Sequence, residues 1–318
     1  MAGKRVIAVL AAVLLIAGAV VARRMLDDDE SSTDRPSSAR VACVIDLRSV
    51  CEQLDVGQVS ITIEPYGTTL DAIGAGTGPD AWITFAPLDR LAAGPDGSAT
   101  FGDSTALGSA RLALAVRAER ATPLAAACGG TVAWRCIGEN AGRSWESLGG
   151  QTTWGSLTPG LDDPTTRATG LLTLGAATAS YFGRTDFNAV DIDADDELLG
   201  WFSRLTRSVP DFVLDAGSAL DPLATGRAVD LAGTSEAELV AIGAAQSSRF
   251  TVTYPEPMAR ADAVLVIAQD GDVPESLTAA ATAAFNGAPG WTPTPADPGG
   301  VPSAGVLRTL LDLWTSIR

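Results

Sequence analysis

The 318-residue sequence contains no histidine, and its only lysine is Lys4. Without histidine, the Ser–His–Asp and Cys–His forms of nucleophilic catalysis are excluded. A Ser–Lys dyad would have to use Lys4, which lies beside the first apolar run. The chain also lacks a Gly-x-Ser-x-Gly elbow, a Walker A loop and a strand-borne Gly-x-Gly-x-x-Gly. Positive charge is scarce: 22 Lys and Arg stand against 38 Asp and Glu, a net charge of −16. That balance excludes nucleic acid as a partner, since phosphates require basic surface. It equally excludes a polybasic grip on anionic lipid. The near absence of lysine reads first as a bias of genome composition.

One long apolar run is present, Val6 to Ala22. Lys4 and Arg5 precede it, and Arg23, Arg24 and "DDDESS" follow. The run is near the shortest length that spans a bilayer and slightly long for a signal-peptide core. Ala17-Gly18-Ala19 offers a cleavage site, but the two arginines after the run favour a retained anchor. Residues 1–24 are therefore expected to be a signal peptide or transmembrane anchor. The chain is expected on the cell membrane facing outward, or secreted if the segment is removed. The positive charges before the run hold the N-terminus in the cytoplasm. Residues 25–40 are acidic, Ser-rich and broken by a proline, the composition of a solvated linker.

Four cysteines suit an exported chain. Three pairings are possible. Cys43–Cys51 and Cys128–Cys136 are expected, because short loops close most readily. Zinc is the weaker reading, since neither spacing is Cys-x-x-Cys and no histidine could complete a site. No metal and no cofactor is expected.

Beyond residue 40 the pattern alternates. "VSITIE" (Val59 to Glu64) reads as a strand, "TTLDAI" as a helix start capped by Thr68 or Thr69, and "AWITF" (Ala81 to Phe85) as a second strand. Strand–helix–strand at this spacing implies a parallel sheet. "RLALAV" (Arg111 to Val116), Gly150 to Ser156, Ala228 to Leu231, Phe250 to Tyr254 and Ala263 to Ala268 read as further strands. Helices are expected over Thr169 to Ser180, Asp191 to Arg207, Ser235 to Ile242, Ser276 to Phe285 and Gly305 to Ile317. The fold class is α/β.

The stretch "WGSLTPGLDDPTTRATGLLTLG", from Trp154, carries the most chemistry. Asp163-Pro164-Thr165 reads as a helix start. Such a start is either plainly capped or an anion site, with free N–H groups, Thr165, Thr166, Thr169 and Arg167 as donors. Asp162 and Asp163 oppose an anion, which leaves a neutral polar or zwitterionic ligand open. Trp82 fills core and Asp80 caps a turn, or else the strand end delivers Thr84 to Pro87 to a cleft. Ser235 with Glu238 is a capping box. Tyr254 either reaches a ligand or stacks in a hinge. "DIDADDE" lacks the glycine and the terminal glutamate of a calcium loop and reads as a solvated helix front.

Taken in order, "VSITIEPYGTTLDAIGAGTGPDAWITF", "QTTWGSLTPGLDDPTTRATGLLTLG", "GRAVDLAGTSEAELVAI" and "FTVTYPEPMARADAVLVIA" resemble the bacterial extracellular solute-binding proteins, most closely actinobacterial members. The matching features are Pro79-Asp80-Ala81-Trp82, Trp154-Gly155 with Gly170-Leu171, Asp230 with Ser235-Glu236, and Tyr254-Pro255. The lipid-modified cysteine usual in that family is absent. The resemblance implies a two-lobed, type II periplasmic-binding-protein-like fold with a central cleft. Lobe 1 would comprise 41–115 and 261–318, and lobe 2 116–260. It implies a non-enzyme that captures a small polar solute and serves an ABC transporter permease. Its contacts would be Thr68, Thr69 and Thr84 from lobe 1, with Trp154, Ser156, Thr165, Thr166, Arg167 and Tyr254 from lobe 2. Two alternatives stand beside it: an anchored extracellular scaffold on the same fold that binds no small solute, and a secreted hydrolase using a carboxylate pair.

Overall fold

The computed structural model describes residues 38–92, 100–257, 259–294, 300 and 302–318. The expected anchor and nearly all of the linker lie outside them. Among the described residues, no helix is long and apolar enough to cross a membrane.

Eight strands are numbered in chain order: β1 Ala39–Val44, β2 Val59–Glu64, β3 Ala81–Ala86, β4 Thr105–Arg117, β5 Pro159–Gly160, β6 Leu231–Ser235, β7 Phe250–Thr253 and β8 Arg260–Ile267. They run β2-β1-β3-β8-β4-β6-β5, with β7 also on β4. β1 pairs in parallel with both β2 and β3, as the strand–helix–strand reading requires. β8 lies antiparallel between β3 and β4, so the sheet is mixed. The edge strand β2 alternates in burial, whereas β3 is buried almost throughout, as expected of a strand covered on both faces.

The principal helices are α1 Tyr66–Gly74, α2 Ala118–Ala127, α3 Trp134–Asn140, α4 Ala168–Phe182, α5 Asp196–Arg207, α6 Glu236–Ala241, α7 Ser276–Gly287 and α8 Ala304–Ile317. α5 has one apolar stripe, Leu198, Trp201, Phe202 and Leu205. α4 is buried nearly all round and built from small residues, the composition of a helix with no solvent face.

The strand β4 organises the molecule. Its first half pairs with β8, and from Leu112 onward it pairs with β6 and β7. Two hydrophobic cores follow from that change of partner. The first includes Val41, Trp82, Phe85, Leu112, Leu265 and Phe285. The second includes Leu114, Trp134, Trp145, Leu161, Trp201 and Leu231. α4 and α8 reach both: Leu172 and Leu307 lie in the first, Leu174 and Leu310 in the second. Both expected disulfides are present, Cys43–Cys51 and Cys128–Cys136.

Several local expectations are corrected. Gly150 to Ser156 is not a strand but a 3-10 turn at Thr152–Trp154, entered and left through glycines at positive φ, Gly149 and Gly155. β6 lies at Leu231–Ser235, not Ala228–Leu231. Asp191 to Arg207 divides into Ala189–Asp193 and α5, because Asp195 caps the N–H of Leu198 and restarts the helix. α1 begins at Tyr66 with Pro65 as its N-cap, so Thr68 and Thr69 are inside the helix and cap nothing.

Candidate functional site

A cavity of about 340 Å³ opens where the carboxyl ends of several strands meet. Asp46 and Leu47 follow β1, Phe85 is the penultimate residue of β3, and Ser235 ends β6. Thr169 from α4, Glu238 and Val240 from α6, and Pro289 and Trp291 from the segment after α7 complete much of the wall. Ligands of open α/β sheets sit at such strand ends. The two sides approach closely beside it. Gly290 has φ +84°, and a Cβ there would meet the Cα of Ala237 at 2.7 Å, so only glycine lets this segment rest on α6.

Among the described residues, no lysine or arginine lines this cavity. Arg167 lies behind the wall and is committed elsewhere. Its guanidinium pairs with Asp46 at 3.3 Å, Asp162 at 3.7 Å and Glu238 at 2.9 Å. Burial alone would make Arg167 a weaker base, but the three carboxylates outweigh it and hold its proton more tightly. Burial pushes the Glu238 carboxyl up to about 7, reinforced by Asp162 and opposed by Arg167. Burial likewise raises Asp162, against Arg167 and the bond from the Ala219 N–H. The cluster thus has more acid than base.

The expected helix start at Asp163-Pro164-Thr165 is corrected. These residues form a turn in which the Thr165 N–H and hydroxyl both donate to Asp163 Oδ1. α4 begins only at Ala168, with Arg167 as an extended N-cap that makes no side-chain cap of its own. The capping group comes from far away in sequence. Asp46 accepts the N–H of Ala168 at 3.1 Å and of Thr169 at 3.0 Å. The free N–H groups read from the sequence are therefore taken by the chain's own carboxylate. The Tyr66 hydroxyl adds a bond to the carbonyl of Pro164.

The other anticipated ligand residues divide sharply. Thr68, Ser156, Thr165 and Thr166 are exposed. Thr69 is buried and donates to Glu64. Thr84 is buried and its hydroxyl has no hydrogen-bond partner. Trp154 packs edge-on to Trp145, with the Arg120 guanidinium 5.2 Å from its ring. Tyr254 donates to Glu236 at 3.2 Å and lies under the Arg111 guanidinium at 3.8 Å. None of these nine residues, Arg167 included, lines the cavity.

Two lining residues were anticipated, Thr169 as a donor at the start of α4 and Phe85 within the Thr84 to Pro87 strand end; Asp46, Glu238 and Trp291 were missed as ligand contacts. Glu238 was legible as a cap, and the box with Ser235 is present. Its bond to Arg167 was not. Asp46 follows a buried strand, a position that itself signals a strand-end site.

No protein-family model matches the chain, and no curated protein matches it. Solved structures do resemble it. FutA2 from Synechocystis PCC6803, in its apo form, superposes with a TM-score of 0.51 at 12% identity, covering 88% of this chain and 98% of that one. A periplasmic thiamin binding protein gives 0.51 at 10% identity, with 88% and 95% covered. The periplasmic binding protein AfuA from Actinobacillus pleuropneumoniae, bound to fructose-6-phosphate, gives 0.50 at 13%, with 88% and 95% covered. The fold of the described residues is that of the periplasmic binding proteins.

Proposed function

We propose that this chain is an exported, membrane-tethered solute-binding protein that holds a small polar ligand between two lobes and serves an ABC importer. The lobes are taken as 41–115 with 261–318, and 116–260. β4 and β8 join them. The observation that carries the reading is the cavity itself: its walls come from strand ends and helix starts on both sides of β4, on a binding-protein fold. Glu238 beside Phe85 and Trp291, with no basic side chain among the described residues of the wall, favours a neutral or cationic ligand with an apolar part.

The test is a thermal-shift screen of the oxidised full chain, in mild detergent, against sugars, amino acids, amines, peptides and oxyanions. A ligand that binds only the folded state stabilises it by about 2.7 kcal/mol at a hundredfold excess over Kd. A saturable shift with amines or neutral polar solutes is the expected outcome. A flat screen on folded protein would reject solute capture and favour the anchored scaffold. One observation favours that second reading: the chain's own Asp46 carboxylate ties the turn after β1 to the start of α4. The hydrolase reading fares worse. It needs two carboxylates facing a bound substrate, and the Asp46 side chain has no exposed surface.

A further inference from the structure

The carboxylate of Asp46 faces two backbone N–H donors, a shared hydroxyl and a guanidinium charge. Oδ2 accepts the N–H of Ala168 at 3.1 Å, and Oδ1 accepts the N–H of Thr169 at 3.0 Å. The Thr169 hydroxyl reaches both Asp46 Oδ1 and Asp162 Oδ2 and donates its one proton to either, and the Arg167 Nε stands 3.3 Å from Asp46 Oδ1 as an ion pair without a hydrogen bond. Two consecutive N–H groups at the start of a 15-residue helix, a nearby hydroxyl and a guanidinium charge are the features that a free carboxylate or other oxyanion would use. Here the anion is covalently attached. It arrives from the turn after β1, 122 positions earlier in the chain than Ala168.

We propose that Asp46 is a built-in ligand: its carboxylate occupies, from within the chain, an oxyanion site formed by the N-terminus of α4, Thr169 and Arg167, and bars that site to anionic solutes. Charge around the site supports this. Asp162 and Glu238 also pair with Arg167, so an incoming anion would have to displace Asp46 and then sit against two more carboxylates. The same contact fastens β1 to α4. Nearby, the Tyr66 hydroxyl holds the carbonyl of Pro164, and Gly67 leaves only 3.0 Å between a hypothetical Cβ and the carbonyl of Thr165. A tethered ligand needs no concentration in solution to keep this seam shut, since its effective concentration is set by the chain. The inference stands whether or not the adjoining cavity takes a solute.

Replacing Asp46 tests it by chemical rescue. Asp46→Ala deletes the carboxylate and leaves a space for formate. Its melting temperature, measured on the full chain, is expected to fall below wild type. Formate is then expected to raise it saturably above a sodium chloride control of equal ionic strength, while wild type responds alike to both salts. The apparent affinity for formate should be at least about tenfold tighter in Asp46→Ala than in wild type, a difference of about 1.4 kcal/mol. Asp46→Asn fills the space with an amide and should show no formate response. If Asp46→Ala does not fold unaided, refolding yield becomes the readout. Recovery in formate but not in chloride would support the built-in ligand. Equal failure in both, a formate response no larger than that of wild type, or equal rescue of Asp46→Asn would overturn it.

Discussion

Two buried arginines in this protein are held in opposite ways. Arg120, at the start of the second core, meets one carboxylate, Asp230, whose side chain is almost wholly buried. Asp230 also accepts the Trp145 Nε1–H and the Thr158 N–H, each at 2.8 Å. Trp145 and Trp154 flank the guanidinium. Arg167 instead meets three carboxylates, from the turn after β1, the segment before α4, and α6. The first arrangement balances charge within one core. The second carries an excess of negative charge across a seam between the cores. One fixes a structure; the other can gain or lose a proton where the two sides meet.

Breaking the balanced pair should have the largest effect. Asp230→Ala would strand the Arg120 guanidinium and release two further donors, Trp145 Nε1 and the Thr158 N–H. Removing one partner of a buried pair costs about 3–5 kcal/mol, and urea denaturation should show a loss of that size. The double variant Arg120→Met with Asp230→Leu sharpens the comparison. It strands no charge, so it should recover a large part of the loss. A double variant as unstable as Asp230→Ala would mean that the hydrogen bonds, rather than the charge, carry the site.

The unbalanced cluster should reveal itself through pH. Glu238 in the folded state titrates at about 7, well above an ordinary glutamate. The folded chain therefore holds a proton that the unfolded chain releases over the interval between the two values. Stability from this group is fully present below the ordinary carboxylate range and is lost as pH rises through about 7. Asp162 is raised in the same direction. A decline on the order of 1–3 kcal/mol between pH 5 and 7.5 is expected from shifts of this kind. Glu238→Gln removes the titrating group, keeps hydrogen-bonding atoms for Thr234 and Ser235, and should flatten the slope. An unchanged slope would place the proton elsewhere. The Arg120–Asp230 pair provides the contrast, because its variants should leave the slope intact.

The sequence disclosed the alternation of elements but not this seam, for reasons visible in particular residues. Val59 to Glu64, Ala81 to Phe85 and the α4 region were legible because periodicity and buried runs are local signals. β8 was read from Ala263, whereas it begins at Arg260. Two charged residues ahead of an apolar run look like a loop, but the Arg260 guanidinium pairs with Asp262, which also accepts from Ser109. The 3-10 turn at Thr152–Trp154 was misread because Thr152, Thr153 and Trp154 are residue types enriched in strands. The helix start at α4 was legible as a place where donors gather. Its occupant was not, because Asp46 lies more than a hundred residues away and nothing local marks an aspartate as another helix's cap. Tyr254 shows the same limit: it was correctly singled out as a polar aromatic at a strand end, yet its partners, Glu236 and Arg111, come from α6 and β4.

That Tyr254 cluster supplies the smallest effect and the third term of the comparison. Arg111, on the first half of β4, makes two hydrogen bonds to Glu236 at the start of α6, at 3.0 and 2.7 Å. Like Arg167 it spans the seam, but its side chain is 44% exposed. Glu236 is held below the ordinary range chiefly by the bond from Arg111. Water and salt screen such a pair, so its worth should be about 0.2–1 kcal/mol, less at high ionic strength. Tyr254→Phe keeps the ring beneath the guanidinium and removes only the hydroxyl bond to Glu236. Its cost should fall at the low end of the range for a single hydrogen bond, about 0.5 kcal/mol. A double-mutant cycle of Arg111→Ala with Glu236→Gln, run at low and high salt, measures the pair directly. A coupling that fades with salt would confirm that exposure, not position on the seam, sets its strength. A large, salt-resistant coupling would show that the seam is desolvated there as well, and the contrast between Arg111 and Arg167 would collapse.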